Sequence, residues 1–286
     1  MNSYGEIFRN LRKERGYTLK TMSQDIISFS YLSKFEKGES DITLLNFIRL
    51  IERLNMTIDE FLYFNEVNLS YYSELFIKMA AAYAKNNSML LKSYAQTEEN
   101  LYNTTDKVHH KCNSVMILAV AQDIDASISI PQDDTIFLVD YIVKCSYWST
   151  YEVSMLGNTL TLFSDDLLLI LLEEVKSRLN EYKVTKRNIR DLIALIENAC
   201  LILLRNKKIE EAKSLSDFLE FFLAPTYFFE KTRKIFIDGI ILICKGDINE
   251  GTKKSQEAIN IIRVMNKELG DDYYIELEFF LNNGPV

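Results

Sequence analysis

Apolar positions recur at helical spacing along almost the whole chain. In residues 4–15 the side chains of Ile7, Phe8 and Leu11 share one face, and Gly16 follows in the position of a helix-ending glycine. Four further short helices are predicted before residue 65, each with a capping residue at its start. Their predicted caps are, in order, Thr18, Ser28, Asp41 and Thr57. Five short helices with brief connections form a unit that folds by itself.

From about residue 69 onward the apolar segments lengthen, with Asn, Asp, Ser, Pro or Gly at the breaks. Helices are predicted over 69–85, 88–103, 106–124, 133–146, 148–157, 162–181, 186–205, 208–223, 227–245, 248–267 and 271–282. The stretch 124–130 alternates apolar and polar positions, which permits a strand, although an isolated strand would have no partner. The predicted fold class is therefore all-α.

One short segment occurs twice, at an offset of 39 residues. Residues 206–212 (NKKIEEA) and 245–251 (KGDINEG) each join a long apolar helix to a second one, and each ends in a small residue. Small residues let paired helices approach closely, and a period of roughly 34 to 47 residues is typical of helical-hairpin repeats. We predict a helix-turn-helix domain at 1–65 and a tetratricopeptide-like domain of stacked hairpins at 66–286.

The composition agrees with this division into globular helical domains. The chain has 286 residues, of which 48% are hydrophobic and 26% charged, with only 3 Pro and 9 Gly. The net charge is −8, yet residues 1–37 carry seven basic and four acidic side chains. A local basic face attracts phosphates, whereas an acidic remainder suppresses non-specific binding to DNA.

The residues that catalysis or metal binding would need are poorly placed. His109 and His110 are the only histidines, and neighbours on a helix point about 100° apart, so they do not chelate one metal. Three acidic pairs precede predicted helices, where they would cap the helix and favour its dipole: Asp133 and Asp134, Asp165 and Asp166, Asp271 and Asp272. No phosphate-binding glycine loop or nucleophile motif is present. We expect no enzyme, no catalytic residue, no cofactor and no metal site.

Neither membrane insertion nor disulfide bonding is expected. No apolar run reaches about 18 residues, and the polar N-terminus lacks the apolar region of a signal peptide. The cysteines lie in apolar stretches without a CxxC pair, as buried free thiols do: Cys112, Cys145, Cys200 and Cys244. We expect a cytoplasmic protein.

The segment 29–37 (FSYLSKFEK) has the two faces of a DNA-recognition helix. At 100° per residue, the arc that holds Ser30, Ser33 and Lys34 is small, polar and basic, and the opposite arc is mostly apolar. Short serines let a helix enter the major groove, where lysine reaches phosphate or guanine. An ordinary amphipathic surface helix would have the same pattern. The neighbouring segments are therefore needed to distinguish a recognition helix from a surface helix.

Residues 4–64 resemble the Xre/Cro-like helix-turn-helix family. The segments 11–16 (LRKERG) and 32–38 (LSKFEKG) stand at the spacing of that family. The resemblance implies that Arg12 pairs with Glu36 inside the domain, and the start of the second helix suits a phosphate. The residues expected to contact DNA are Thr18, Lys20, Ser28, Phe29, Ser30, Tyr31, Ser33, Lys34 and Lys37.

Residues 67–286 resemble the sensor domain of Rgg/MutR-type regulators, whose members bind short peptide pheromones in quorum sensing. Three segments carry the resemblance: 148–152 (WSTYE), 157–158 (GN) and the helix around Asn198. The resemblance implies a homodimer on a palindromic site in double-stranded DNA. It also implies a concave site for a short hydrophobic peptide.

Aromatic and amide side chains of this second domain suit such a peptide site. Trp148 and Tyr151 lie one helical turn apart, Asn198 offers an amide donor and acceptor, and Arg190 suits a carboxylate. The expected peptide-binding residues are Trp148, Tyr151, Arg190, Asn198, Phe222 and Tyr227. Aromatic residues also form ordinary helix–helix cores. The alternative is a phage-type repressor or interaction scaffold whose helical domain only dimerises or binds a protein partner.

Overall fold

The computed structural model describes residues 4–63, 71–185 and 189–283, and it divides the chain into two compact units, Met1–Glu74 and Leu75–Val286. Every regular element within the described residues is a helix, which confirms the all-α prediction. The predicted boundary between residues 65 and 66 lies outside the described residues.

The N-terminal unit contains five short helices. They are α1 (Tyr4–Glu14), α2 (Leu19–Ser23), α3 (Phe29–Glu36), α4 (Leu44–Arg53) and α5 (Ile58–Tyr63). Their apolar faces meet in one core, at whose centre Phe8, Leu32, Leu50 and Phe61 have no more than traces of exposed surface. Burial of these side chains, at about 25 cal/mol per Å² of apolar surface, is the main force that holds the short helices together.

Capping residues set most of the helix starts in this unit. Thr18 and Ser28 each accept a hydrogen bond from the backbone N–H three residues further on. Thr57 and Glu60 bond reciprocally in a capping box. The prediction for α4 was wrong, because its cap is Thr43 and not Asp41.

The structure describes eleven further helices, most of them longer; the first begins at Tyr71, shortly before the C-terminal unit starts at Leu75. They are α6 (Tyr71–Ala84), α7 (Ser88–Thr105), α8 (Val108–Ile124), α9 (Gln132–Lys144), α10 (Thr150–Gly157), α11 (Asp165–Thr185), α12 (Ile189–Arg205), α13 (Ile209–Leu219), α14 (Phe228–Cys244), α15 (Ile248–Met265) and α16 (Lys267–Asn282). A single 3-10 turn, Leu160–Leu162, follows α10. Successive helices pack against each other in the pairs α7–α8, α12–α13, α14–α15 and α15–α16, which is the predicted hairpin architecture.

The two copies of the sequence repeat have the same turn. Lys207 and Gly246 occupy equivalent positions and both have left-handed backbone, with φ of 61° and 95°. In each copy the backbone N–H of this residue donates to the carbonyl oxygen three residues earlier. The N–H of the following residue donates to the carbonyl oxygen five residues before it. The two copies of the repeat therefore end one helix and reverse the chain by the same turn geometry.

The helices after these turns approach their partners closely. A Cβ on Gly251 of α15 would lie 2.6 Å from the carbonyl oxygen of Gly239 on α14, nearer than any Cβ approaches an oxygen. In the other copy the Sγ of buried Cys200 on α12 lies 3.6 Å from the carbonyl oxygen of Ala212 on α13. Small residues thus set the spacing of both hairpins, as the repeat predicted.

The stretch 124–130 forms no strand, in agreement with the all-α prediction; α8 ends at Ile124, and in the turn that follows the side chain of Asp125 accepts from Ser127. Two other expectations from the sequence were wrong. Asp271 and Asp272 do not precede a helix, because α16 already begins at Lys267, and Asp271 instead pairs with Arg263. Two cysteines, Cys145 and Cys244, are only half-buried, whereas Cys112 and Cys200 are buried as expected; all four are free.

Among the described helices, none combines the length and the hydropathy that a bilayer span requires.

Candidate functional site

Helix α3 presents the two faces that its sequence predicted. Leu32, Phe35 and Glu36 are buried in the N-terminal unit. On the other side Ser30 and Lys34 are exposed, and Ser33 is half-buried beside them. The exposed face is small, polar and basic, and the opposite face packs in the core.

A buried ion pair fixes α3 against α1. Arg12 Nε and one terminal nitrogen donate to the two carboxylate oxygens of Glu36 at 2.6 and 2.7 Å. The other terminal nitrogen donates to the backbone carbonyl of Tyr17 at 2.7 Å. The planar guanidinium therefore sets both the tilt of α3 and the turn before α2. Both residues are buried, so they hold the domain together and do not read bases.

The remaining candidate DNA-contacting residues lie at the ends of α2 and α3. Thr18 and Ser28 cap these helices, Lys20 is exposed in the first turn of α2, and Phe29 is 55% exposed. Two others have partners within the unit. Tyr31 donates from its hydroxyl to the carbonyl of Asp41 at 2.6 Å, and Lys37 lies 3.9 Å from a carboxylate oxygen of Glu39.

A cavity of about 480 Å³ lies within the C-terminal unit, between α6, α8, the end of α10 and α12. Apolar side chains form much of its wall, and a few polar groups project among them. The lining residues are Phe76, Met79, Ala80, Tyr83, Val120, Asp123, Gly157, Asn158, Leu160, Thr161, Asn198, Leu201, Ile202 and Arg205. Two of the three segments that carry the sensor resemblance, 157–158 and the helix around Asn198, thus meet at this cavity.

Asn198 is the predicted peptide-binding residue that lines the cavity. It is exposed on α12, and its Oδ1 accepts a hydrogen bond of 2.6 Å from Arg233 of α14. Arg233 also lies 2.9 Å from the carboxylate of Glu197, which is completely buried. Burial raises the pKa of Glu197 to about 8, although Arg233 opposes this shift.

The cation that lines the cavity is Arg205, which the sequence analysis missed. Arg205 ends α12 and pairs with Glu276 of α16, and its guanidinium lies 5.3 Å from the centre of the Phe279 ring. Burial raises the pKa of Asp123, the acid in the same wall, while Arg205 lowers it. The signal available in the sequence was the position of Arg205 two turns after Asn198 on one helix face.

Arg190, the cation expected at the peptide site, does not line this cavity. Its Nε lies 2.5 Å from a carboxylate oxygen of Glu230, and its guanidinium lies 5.5 Å from the centre of the Tyr227 ring. Both contacts join α12 to the start of α14. Arg190 and Tyr227 are thus partners of each other, one turn from the cluster around Arg233.

The structure places Trp148 and Phe222 in the core and not on a wall. Trp148 is 1% exposed, its Nε1 donates to the carbonyl of Ile142 at 3.3 Å, and Arg178 covers the ring at 4.3 Å. Phe222 is 5% exposed and packs against Phe218. Neither ring lines the cavity, and both are buried as large aromatic side chains usually are.

Tyr151 belongs to a hydrogen-bonded network and also does not line the cavity. Its hydroxyl lies 2.9 Å from Oδ1 of Asn113, and burial raises its pKa. Asn113 in turn donates to buried Glu98, which also bonds to His110 at 2.8 Å. Within the segment 148–152, Ser149 and Glu152 form a capping box. Within the described residues no group of three metal-ligating side chains occurs.

Comparisons with known proteins find matches to both units of this chain. A family model described as the C-terminal domain of the HTH-type transcriptional regulator Rgg matches residues 90–276, and a helix-turn-helix model matches residues 8–61. The SHP pheromone receptor Rgg2 from Streptococcus dysgalactiae has 22% identity and a TM-score of 0.78 over 98% of this chain and 100% of the other.

Two further solved structures have the same fold. A protein from Listeria monocytogenes EGD-e has 21% identity and a TM-score of 0.84, with 99% of both chains covered. The complex of PrgX with cCF10 has 16% identity and a TM-score of 0.76, with 97% of this chain and 92% of the other covered.

Proposed function

The chain belongs to the Rgg family of HTH-type transcriptional regulators, and from this premise we propose that a short peptide in the cavity of its C-terminal unit controls its action on DNA. The main support for the proposal is the size and lining of the cavity. The cavity of about 480 Å³ has apolar walls and a few polar groups, and its volume is in the range of pockets that enclose small ligands, roughly 300–1,000 Å³.

The polar groups of the cavity suit an extended peptide. Asn198 and Asn158 can exchange hydrogen bonds with a peptide backbone, and Phe76 and Leu201 can cover apolar side chains. We assign the ligand carboxylate to Arg205 in place of Arg190, because Arg205 lines the cavity and Arg190 does not; a bound carboxylate would share the Arg205 guanidinium with Glu276. The peptide pheromones in the names of the solved relatives support this ligand class.

For DNA, we propose that the exposed face of α3 enters the major groove and that the start of α2 binds a phosphate. The proposed contacts are those predicted from the sequence: Thr18, Lys20, Ser28, Phe29, Ser30, Tyr31, Ser33, Lys34 and Lys37. A homodimer would present two such helices to a palindromic site. The proposal includes no catalytic step and no cofactor, and it assigns the protein to the cytoplasm.

A ligand regulates only if it binds two states of the protein with different affinity. Stacked hairpins supply such states, because small rotations between neighbouring helix pairs change the curvature of the whole stack. The cavity walls come from four separate helices, so a bound peptide would favour one set of rotations. This is the mechanism that we propose for control of DNA binding.

The test is peptide binding to the full-length protein. Fluorescein-labelled apolar peptides of about five to ten residues should bind with a Kd at or below the micromolar range in anisotropy titrations. Asn198→Ala should weaken binding at least tenfold, or about 1.4 kcal/mol. Asn260→Ala is the matched control, because Asn260 is exposed on α15 and does not line the cavity. A protein that binds DNA but no peptide would favour the repressor or scaffold alternative.

A further inference from the structure

The side-chain amide of Asn198 has a fixed direction. Arginine donates hydrogen bonds and accepts none, so the atom of Asn198 that faces Arg233 at 2.6 Å must be the oxygen. The NH₂ group is therefore the part of this amide that remains for the cavity. Where Asn198 meets a ligand, it offers donors and requires an acceptor.

The side-chain amide of Asn158, which lines the same cavity, is oriented the opposite way, with its oxygen left for a ligand. Its Nδ2 donates to the backbone carbonyl of Ser154 at 2.7 Å, within its own helix end. Its Oδ1 has no hydrogen-bond partner among the described residues and remains as an acceptor. The two asparagines of the wall are thus complementary, because one presents N–H groups and the other a carbonyl oxygen.

The group that orients Asn198 is itself buried and crowded. Arg233 lies between Glu197 of α12 and the hydroxyl of Tyr273 on α16, and its guanidinium is 5.9 Å from the centre of the Phe229 ring. Its Nε and both carboxylate oxygens of Glu197 are buried without a well-formed hydrogen bond in the described part of the chain. A buried polar group with an unmet hydrogen bond is costly, so its presence in a folded protein calls for an explanation.

We infer that Arg233 is a positioning residue for the ligand site: it holds the amide of Asn198 so that the cavity binds a ligand carbonyl oxygen there, while Asn158 binds a ligand N–H. This inference rests on the proposed function, since it specifies which hydrogen bonds the cavity makes to the peptide backbone. Arg233 itself does not line the cavity and acts only through Asn198. The contact also ties the cavity wall on α12 to the next hairpin, at α14.

The first test replaces the NH₂ donor of Asn198 by an oxygen acceptor while the side chain keeps its size and shape. Asn198→Asp retains an oxygen for Arg233 but has no N–H for the ligand. We expect it to bind a fluorescein-labelled library of apolar octapeptides at least tenfold more weakly than the wild type, with unchanged helix content by circular dichroism. Binding of the library by Asn198→Asp at the wild-type affinity would overturn the inference.

The second test needs no peptide and compares two ion pairs between the same two helices. The double variant Glu197→Gln with Arg233→Met removes the pair that holds Asn198. The double variant Glu230→Gln with Arg190→Met removes the pair one turn away, which does not contact Asn198. The readout is the side-chain NH₂ signal of Asn198 in ¹⁵N-asparagine-labelled full-length protein, identified by its loss in Asn198→Asp.

We expect the Asn198 signal to shift and its hydrogen exchange to quicken in the first double variant, and to stay in place in the second. An unchanged signal in the first variant, or equal shifts in both, would overturn the positioning role. Failure of every octapeptide to bind the wild type would refute the proposed function instead, and the spectra would still decide what Arg233 does.

Discussion

Different residues of α3 form the face that we propose binds DNA and the face that packs in the core. Ser30 and Lys34 are exposed, whereas Glu36, on the opposite side of the helix, is buried against Arg12. Substitutions on the first face should therefore affect binding, and substitutions on the second should affect folding. The division follows from the 100° rotation per residue, which is why the sequence predicted it correctly.

The joint change Ser30→Ala, Ser33→Ala and Lys34→Ala should abolish the specific complex with a fragment from upstream of the protein's own coding sequence. One lost base or phosphate contact costs about 1–3 kcal/mol, and a palindromic site would lose each contact twice. Electrophoretic mobility shifts measure the effect. Lys13→Ala is the control, because it removes one exposed positive charge from α1. A triple variant that binds like the wild type would refute the assignment of α3.

The buried carboxyl of Glu197 gives the stability of the C-terminal unit a pH dependence. Its pKa is raised from 4.5 to about 8, so the folded protein holds a proton that the unfolded chain releases between these values. This contribution to stability is present below pH 4.5 and is lost as the pH rises through about 8. Glu197→Gln does not titrate, and its free energy of unfolding should fall less steeply over that window.

Urea unfolding followed by circular dichroism from pH 5 to 9 measures this difference. Glu257→Gln is a suitable control, since Glu257 is an exposed acid of α15. Its unfolding free energy should parallel that of the wild type at every pH. Parallel curves for Glu197→Gln as well would show that the buried carboxyl does not titrate in this range.

Among the elements, α14 and α15 form a closely packed hairpin. Gly251→Ala should destabilise the protein by about 1–3 kcal/mol, because the added methyl group would overlap the backbone of α14 at Gly239 and force the helices apart. Thermal unfolding measures the loss. Gly157→Ala is the matched control: its Cβ would meet nothing within 4 Å, and alanine favours helix, so its midpoint should stay or rise. Equal losses in both variants would contradict a close crossing at Gly251.

Helices and turns were predictable from the sequence because their causes are local. Thr18, Ser28 and the repeat around Lys207 act on neighbours within five residues, and each was interpreted correctly. Asp41 was misjudged because Thr43, two residues later, is a competing cap with equal chemistry. Local patterns do not decide between two adjacent capping residues.

The ligand cavity was less predictable because its polar groups are arranged by contacts between distant segments. Arg205 meets Glu276 across 71 residues, and Asn198 meets Arg233 across 35. The sequence suggested Asn198 through a family resemblance, yet it gave no sign that Arg190 would instead pair with Glu230 on the next hairpin. Trp148 satisfied the pattern of a binding aromatic, but in the structure it is buried in the core, as large apolar side chains usually are.

At the scale of the whole molecule, the proposed function requires two copies of the chain. Two α3 helices must be held about one turn of DNA apart, roughly 34 Å, to enter successive major grooves of a palindrome. We therefore expect the full-length protein at micromolar concentration to sediment with about twice the mass of one chain. A monomer under these conditions, together with specific DNA binding, would contradict the proposed dimer.

The guanidinium of Arg178 lies over the ring of Trp148, and this contact has a practical consequence for measurements on the protein. The chain contains a single tryptophan, and its indole lies in the core of the C-terminal unit with a cation 4.3 Å from the ring. Indole emission depends on the polarity and charge around the ring. The protein therefore carries its own fluorophore, and any rearrangement that uncovers the ring would change its spectrum without a label.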